Sequence, residues 1–324
     1  FESESGGTIK RTYSVDGKAQ ALDADGRRWL AEMLPVVLRE TAMDSERRIK
    51  RIHSTGGVDA VLAEIEKIDS GHARRRYVEG IARLAPLSDR QQQRLLAVIA
   101  PIESDFSKRT ALSALASGQT LSAASQVDAL RIVAAMDSSF EQRTVLAAMA
   151  PTLSAEADVA HAWLNAASKI DSDFELRSAI DSLVRRDPLP ATLLDAAIQA
   201  TMKLDSDFEH ASALVAIGRQ MTTATPAQVS SYLGSAQKID SDFERRNVLT
   251  SFVSRNPLDK SGFLAVLQAI DGMDSDFEIR TVLAAIAKRM PADNELINRY
   301  RRTARSLGDH ERGQAEKALD RFTM

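Results

Sequence analysis

Ile170-Asp171-Ser172-Asp173-Phe174-Glu175 is written repeatedly along this chain. It returns as Leu204-Asp205-Ser206-Asp207-Phe208-Glu209, as Ile239-Asp240-Ser241-Asp242-Phe243-Glu244 and as Met273-Asp274-Ser275-Asp276-Phe277-Glu278. Looser copies precede them: Met136-Asp137-Ser138-Ser139-Phe140-Glu141, Ile102-Glu103-Ser104-Asp105-Phe106-Ser107 and Ile68-Asp69-Ser70-Gly71-His72-Ala73. The acidic second positions, 69, 103, 137, 171, 205, 240 and 274, lie 34 residues apart except for one step of 35. A fixed period of this size is the mark of a repeat architecture, in which each unit buries its apolar face against its neighbours.

The box reads as a helix start. With Ser172 as N-cap, Glu175 falls at N3, which is a capping box: the hydroxyl accepts from one free N–H and the carboxylate reaches back to another. The same reading covers Ser138 with Glu141, Ser206 with Glu209, Ser241 with Glu244 and Ser275 with Glu278. Asp173 at N1 meets the positive end of the helix dipole. Ile170 and Phe174 flank the cap and are expected to be buried between units. Arg177 follows Asp173 by four residues, and the spacing recurs at Asp105/Arg109, Asp242/Arg246 and Asp276/Arg280. Such i,i+4 pairs contribute roughly 0.2–0.5 kcal/mol each.

Between boxes each unit reads as two antiparallel helices, for example Asp173 to Arg186 and Thr192 to Leu204. Helix breakers stand between them at Pro86, Gly118, Pro151, Pro188, Pro226, Pro257 and Pro291. The expected fold is all-α: an α-solenoid of about eight 34-residue helical hairpins, a superhelix like those of HEAT or tetratricopeptide arrays. The tetratricopeptide Trp/Leu-Gly/Tyr signature is missing, so this is a separate helical repeat. The chain divides into a tail with a β-hairpin (1–22), capping helices (23–67), the array (68–306) and a closing helix (307–324). The hairpin is read from alternation over Thr8 to Val15, an Asp16-Gly17 turn and a return strand from Lys18 to Leu22. Asp23 or Asp25 caps the next helix, Pro35 should kink or split it, and Gly56-Gly57 should break the one after.

At the boxes the chain resembles bacterial envelope proteins with Ser-Asp-Phe/Tyr-Glu helical repeats. Some of these repeats lie beyond the membrane-embedded part of proteins similar to antirepressor-type M56 metallopeptidases. Ser172-Asp173-Phe174-Glu175 and its copies carry the likeness, with Tyr13, Asp16-Gly17 and Trp29-Leu30 as a matching lead-in. The resemblance implies an extracytoplasmic, periplasmic sensing or interaction region, with a cytoplasmic location left open. The zinc-binding half of that family is absent here, so its peptidase activity does not transfer.

The chain has 324 residues, a net charge of −3 and no Cys, which excludes disulfides, thiolate metal sites and cysteine nucleophiles. No run reaches the roughly 20 apolar residues of a membrane span. Phe1 at the start implies that upstream sequence has been removed. The five histidines, His53, His72, His161, His210 and His310, form no His-Glu-x-x-His motif, and neither a nucleophile elbow nor a P-loop is present. No catalytic residue, cofactor or metal site is expected, and Asp23-Ala24-Asp25-Gly26 reads as a cap rather than a calcium loop. Recurrence of Asp-x-Asp in most units argues for capping over cation binding.

The Arg series, including Arg177 and Arg246, reads as inter-repeat ion pairs, with a ligand-facing ladder as the alternative. Repeat six departs from the rule: Ala211 replaces Arg, His210 stands beside it, and Thr222-Thr223-Ala224-Thr225 lengthens its loop. His210, Arg177 and Arg246 are therefore the candidate binding region. The expected function is a monomeric, non-catalytic scaffold or sensor that takes a protein or peptide on its concave face. An accessory region of a membrane metallopeptidase is the alternative. Nucleic acid is not an expected partner. The basic clusters Arg47-Arg48-Lys50-Arg51, Arg74-Arg75-Arg76 and Arg299-Arg301-Arg302-Arg305 leave it as a weaker alternative.

Overall fold

The computed structural model describes residues 2–3, 9–10 and 12–323. Two helices open the fold, α1 (Ala24–Glu40) and α2 (Ser45–Ile65). The boxes then start one row of helices: α3 (Gly71–Leu84), α5 (Asp105–Gly118), α7 (Ser139–Met149), α9 (Asp173–Val184), α11 (Asp207–Gly218), α13 (Asp242–Arg255), α15 (Asp276–Ala287) and α17 (Asp309–Thr323). The intervening helices form a second row: α4 (Asp89–Ile99), α6 (Ala123–Ala134), α8 (Ala157–Ala167), α10 (Ala191–Thr201), α12 (Pro226–Ala236), α14 (Lys260–Ala269) and α16 (Asn294–Arg305). Each box helix packs on the box helices before and after it, and each second helix does the same in its own row. This is the α-solenoid the period predicts.

The core is a continuous seam between the two rows. It is pinned once per repeat by the first box residue: Ile68, Ile102, Met136, Ile170, Leu204, Ile239, Met273 and Leu307 are all buried. Burying one such side chain stabilises by roughly 1.5–3 kcal/mol. The box row is tight. A Cβ added at Gly118 would lie 2.5 Å from the Ala82 carbonyl oxygen, so only glycine lets α5 approach the end of α3.

The phenylalanines are the first correction. Phe106, Phe140, Phe174, Phe208, Phe243 and Phe277 are 52–63% exposed rather than buried between units. At N2 they point away from the seam that Ile170 and its equivalents fill.

At the N-terminus, β1 (Glu2–Ser3) pairs with β2 (Ile9–Lys10) and β3 (Ser14–Val15) pairs with β4 (Lys18–Ala19), both antiparallel. The turn between β3 and β4 is Asp16-Gly17, with φ of 51° and 77°. The expected hairpin is present but shorter: Ile9–Lys10 pairs with β1, and Thr8 lies outside the described residues. Asp23 caps α1, accepting from Gly26 N at 2.8 Å. Of the kink or split expected at Pro35, the split is absent: α1 continues through it, and Pro35 and Ala31, whose carbonyl loses its helical donor there, are both exposed. The predicted break at Gly57 is present, with φ 67° and ψ −164°.

Candidate functional site

The box end of the first row is a set of ladders that join each repeat to the next. Each N-cap Ser does accept from the N–H three residues on, at 3.4–3.5 Å for Ser138, Ser172, Ser206, Ser241 and Ser275. The carboxylate half of the capping box is different. Glu141, Glu175, Glu209 and Glu278 do not reach back to their own N-cap; they accept from Arg109, Arg143, Arg177 and Arg246 of the preceding repeat at 2.5–2.7 Å. Arg280 continues the series to Glu311 at 2.7 Å.

The N-cap amides are met instead by the N1 aspartate of the repeat before. Asp173 Oδ2 accepts from Asp205 N at 3.1 Å and Ser206 N at 2.6 Å. Asp105, Asp207 and Asp242 treat the next box in the same way. The i,i+4 Asp–Arg pairing expected within each helix is therefore not made, because both partners are engaged across the repeat boundary. Glu40, at the end of α1, takes the same role for Asp69 N and Ser70 N at 3.0 Å each. Desolvation pushes the Glu40 carboxyl up, but those two amides and Arg39 outweigh it and hold it below its usual value.

Each bridging arginine also covers an exposed phenylalanine. The guanidinium carbons of Arg109, Arg143, Arg177, Arg246 and Arg280 lie 4.6–5.2 Å from the ring centroids of Phe106, Phe140, Phe174, Phe243 and Phe277. A rung thus consists of a ring, a guanidinium and the carboxylate of the next box. Arg177 also meets Asp181 at 2.5 Å. Desolvation pulls its pKa down, and Glu209 with Asp181 more than reverse this.

Repeat six lacks one part of the rung. Ala211 is buried, Phe208 is the most exposed of the six box rings at 63%, and among the described residues no cation lies over it. Glu244, the next carboxylate, accepts among the described residues only from Asn247 Nδ2 at 3.3 Å. His210 does not belong to this surface. It is 2% exposed, and its Nε2 shares a 2.8 Å hydrogen bond with Ser235 Oγ, which in turn bonds Thr201 Oγ1 at 2.7 Å. Burial lowers its pKa against the opposing pull of Asp207 and Asp173. As a ligand-facing group His210 is thus overturned: the position after the box Glu faces the core. Gln142 and Arg245 fill the same place, and their side chains cap carbonyls of the preceding segment, such as Met136 O and Ile239 O.

The opposite ends of the box helices carry a second stitch that sequence reading missed. Gln119, Gln220 and Asn256 donate to carbonyls of the previous box helix, Ala82, Val184 and Gly218, at 2.7–3.1 Å. In the second row, buried Gln92 and Gln126, spaced by one period, clamp the loops of adjacent repeats from both sides. Their 34-residue spacing was a readable signal.

Near this end Arg185, Arg219, Arg255 and Lys288 are exposed and, among the described residues, have no ion-pair partner. Clefts of ≈440 and ≈500 Å³ lie beside them between α9 and α11 and between α13 and α15. The terminal basic clusters are partly neutralised: Arg48 pairs with Glu64, Arg75 and Arg76 with Glu79, and Arg299 with Asp271. Among the described residues no group of three or more His, Asp or Glu is placed to hold a metal ion, and no helix is long and apolar enough to cross a membrane.

No protein-family model matches the chain, and no curated protein matches it. Among solved structures, a chain from "Computational Design of Self-Assembling Cyclic Protein Homooligomers" is similar over 91% of this chain and 94% of its own, at 16% identity and a TM-score of 0.18. A likeness that low carries no argument about fold, assembly or function.

Proposed function

We propose that this chain is a non-catalytic scaffold that binds an extended protein or peptide segment along the solvent-facing side of its box helices, taken as the concave side of the array. The observation that carries the reading is the layout of that face. Its centre is a line of small, half-exposed residues, one per repeat: Ala114, Ala148, Ser182, Ala216, Ser251 and Ala285. One rim holds the exposed phenylalanines and, beside them, the exposed acids at 103, 137, 171, 205, 240 and 274. The other rim, over the last four repeats, holds Arg185, Arg219, Arg255 and Lys288.

Neighbouring box helices pack more closely, on the whole, than neighbouring second helices, as the row on the inner side of a curved array would. A shallow floor between an acidic, aromatic rim and a basic rim suits a chain that makes many modest contacts over several repeats. The likeness of the boxes to bacterial envelope repeats is our reason for putting this scaffold outside the cytoplasm.

The test is peptide selection from a random library on the intact chain, followed by binding to a variant lacking residues 171–239, a deletion that joins Ile170 to Asp240 in register. Selected peptides should slow amide exchange in the box row, and the shortened but still helical array should lose them. Equal binding by the deletion variant, or protection confined to the second row, refutes the reading. For location, the natural gene product fused to a reporter active only outside the cytoplasm should give signal, and a silent reporter removes that part.

A further inference from the structure

Five rungs of the box face show what a complete rung contains, and the sixth shows the same frame without its cation. In the complete rungs a guanidinium lies 4.6–5.2 Å from a phenylalanine centroid. Its Nε donates to the carboxylate of the next box at 2.5–2.7 Å. At the sixth rung the frame is intact despite the extra residue in the repeat. Asp207 still receives Asp240 N at 3.0 Å and Ser241 N at 2.8 Å, so Glu244 is tied to Phe208 as Glu209 is tied to Phe174. Besides Val215 in place of Asp181, the rung differs in one part, the guanidinium that Ala211 lacks. Its absence leaves the Phe208 ring bare and gives Glu244 a single weak amide donor. Asp205 and Asp240, both exposed and without an ion pair among the described residues, add negative potential on either side.

We propose that this rung is completed from outside: an arginine of a bound polypeptide lays its guanidinium on the Phe208 ring and pairs with the Glu244 carboxylate. The chemistry selects arginine over lysine. A planar guanidinium stacks on the ring and presents a fork of donors to the carboxylate, whereas an ammonium is a hydrated point charge that does neither well. The inference rests on the scaffold reading only in taking the arginine from a polypeptide; the rung itself is complete in this chain apart from the cation. It also gives the partner a register, because the anchor occurs once in an otherwise regular ladder.

The test is titration of the full chain, carrying ¹³C-labelled phenylalanine rings, with N-acetylargininamide, N-acetyllysinamide and N-acetylcitrullinamide, followed by NMR. The arginine derivative should shift the Phe208 ring saturably and more than any other box ring, the lysine derivative should bind about fivefold more weakly, and the neutral citrulline derivative should do nothing. Glu244→Gln should weaken the arginine derivative about fivefold. Ala211→Arg, which supplies the cation from within, should abolish the shift; if that variant misfolds, Phe208→Leu at an exposed position serves instead. Shifts spread evenly over the six rings, equal binding of lysine and arginine derivatives, or indifference to Glu244→Gln would each overturn the proposal. A failed titration alongside peptides that still require residues 171–239 removes the anchor alone. A positive titration with peptides indifferent to that deletion removes the groove reading alone.

Discussion

Helices α9 and α11 are built on the same plan, and the difference that alters the rung is Arg177 against Ala211, with Val215 and Ala216 also standing where α9 has Asp181 and Ser182. Both start at a Ser N-cap, both send an N1 aspartate to two amides of the next box, and both expose a phenylalanine at N2. In α9 a guanidinium joins ring to carboxylate; in α11 Ala211 stands there and the backbone stitch is unchanged. The pairing separates two layers of cause. Caps and aspartate-to-amide bonds set where each helix begins and how repeats stack, while the arginine adds to that frame without being needed for it.

The largest effect should come from the part the two helices share. Asp173→Ala and Asp207→Ala each leave two backbone N–H groups of the following box without an acceptor, at about 1–3 kcal/mol in total given partial access to water. Urea denaturation should show similar losses for both. A loss at 173 much larger than at 207 would mean that the arginine, not the aspartate, carries the junction. Ser172→Ala and Ser206→Ala should come next, at about 1 kcal/mol each. Their hydroxyl-to-amide distances of 3.4 and 3.5 Å point to the low side of that range.

A smaller effect distinguishes the two helices. Arg177→Ala should cost about 1 kcal/mol or less, because the pair with Glu209 is partly exposed, at 22% and 16%. Ala211→Arg should gain a comparable fraction by completing the sixth rung. A double-mutant cycle of Arg177→Ala with Glu209→Gln, read by urea midpoint, should give a coupling of about 0.5 kcal/mol. No coupling at all would reduce the rung to coincident packing.

The fold was legible because the period is a statement about packing. Buried first positions such as Ile170, Ser N-caps and helix breakers all repeat for reasons internal to one unit. The partners of Glu175 and Asp173 were not legible, because Ser-x-x-Glu describes a bond within one helix and the actual donors lie 32 or more residues away, across a boundary the linear pattern does not display. Phe174 was misplaced for a related reason: an apolar residue next to a cap is read as buried unless one knows that an arginine three residues on covers its ring. For the candidate site, the departure of repeat six is legible at His210 and Ala211, but His210 is buried and the exposed consequence of Ala211 lies on Phe208 and Glu244.

The smallest effect concerns His210 itself and is one of slope. Burial beside Ser235 disfavours the imidazolium, and the carboxylates of Asp207 and Asp173 only partly offset this, so the folded pKa lies below the usual 6.5. Below that value the unfolded chain takes up a proton that the folded chain resists. The unfolded state therefore binds more protons between the two pKa values, and stability rises with pH there. The contribution is full above about 6.5, is lost as pH falls from there towards the lowered folded pKa, and changes no further beneath it. His210→Leu, the residue found at the equivalent position 176, removes that segment of slope and leaves Ser235 bonded to Thr201. Urea midpoints taken from pH 7.5 to 5 should fall more steeply for the native chain than for the variant, since Glu40, also below its usual value of 4.5, acts at lower pH. A constant difference between the two proteins across that range would mean that His210 takes up its proton as readily in the folded chain as in the unfolded one, and the buried Thr201–Ser235–His210 chain would then have to be an exposed feature of the sixth repeat after all.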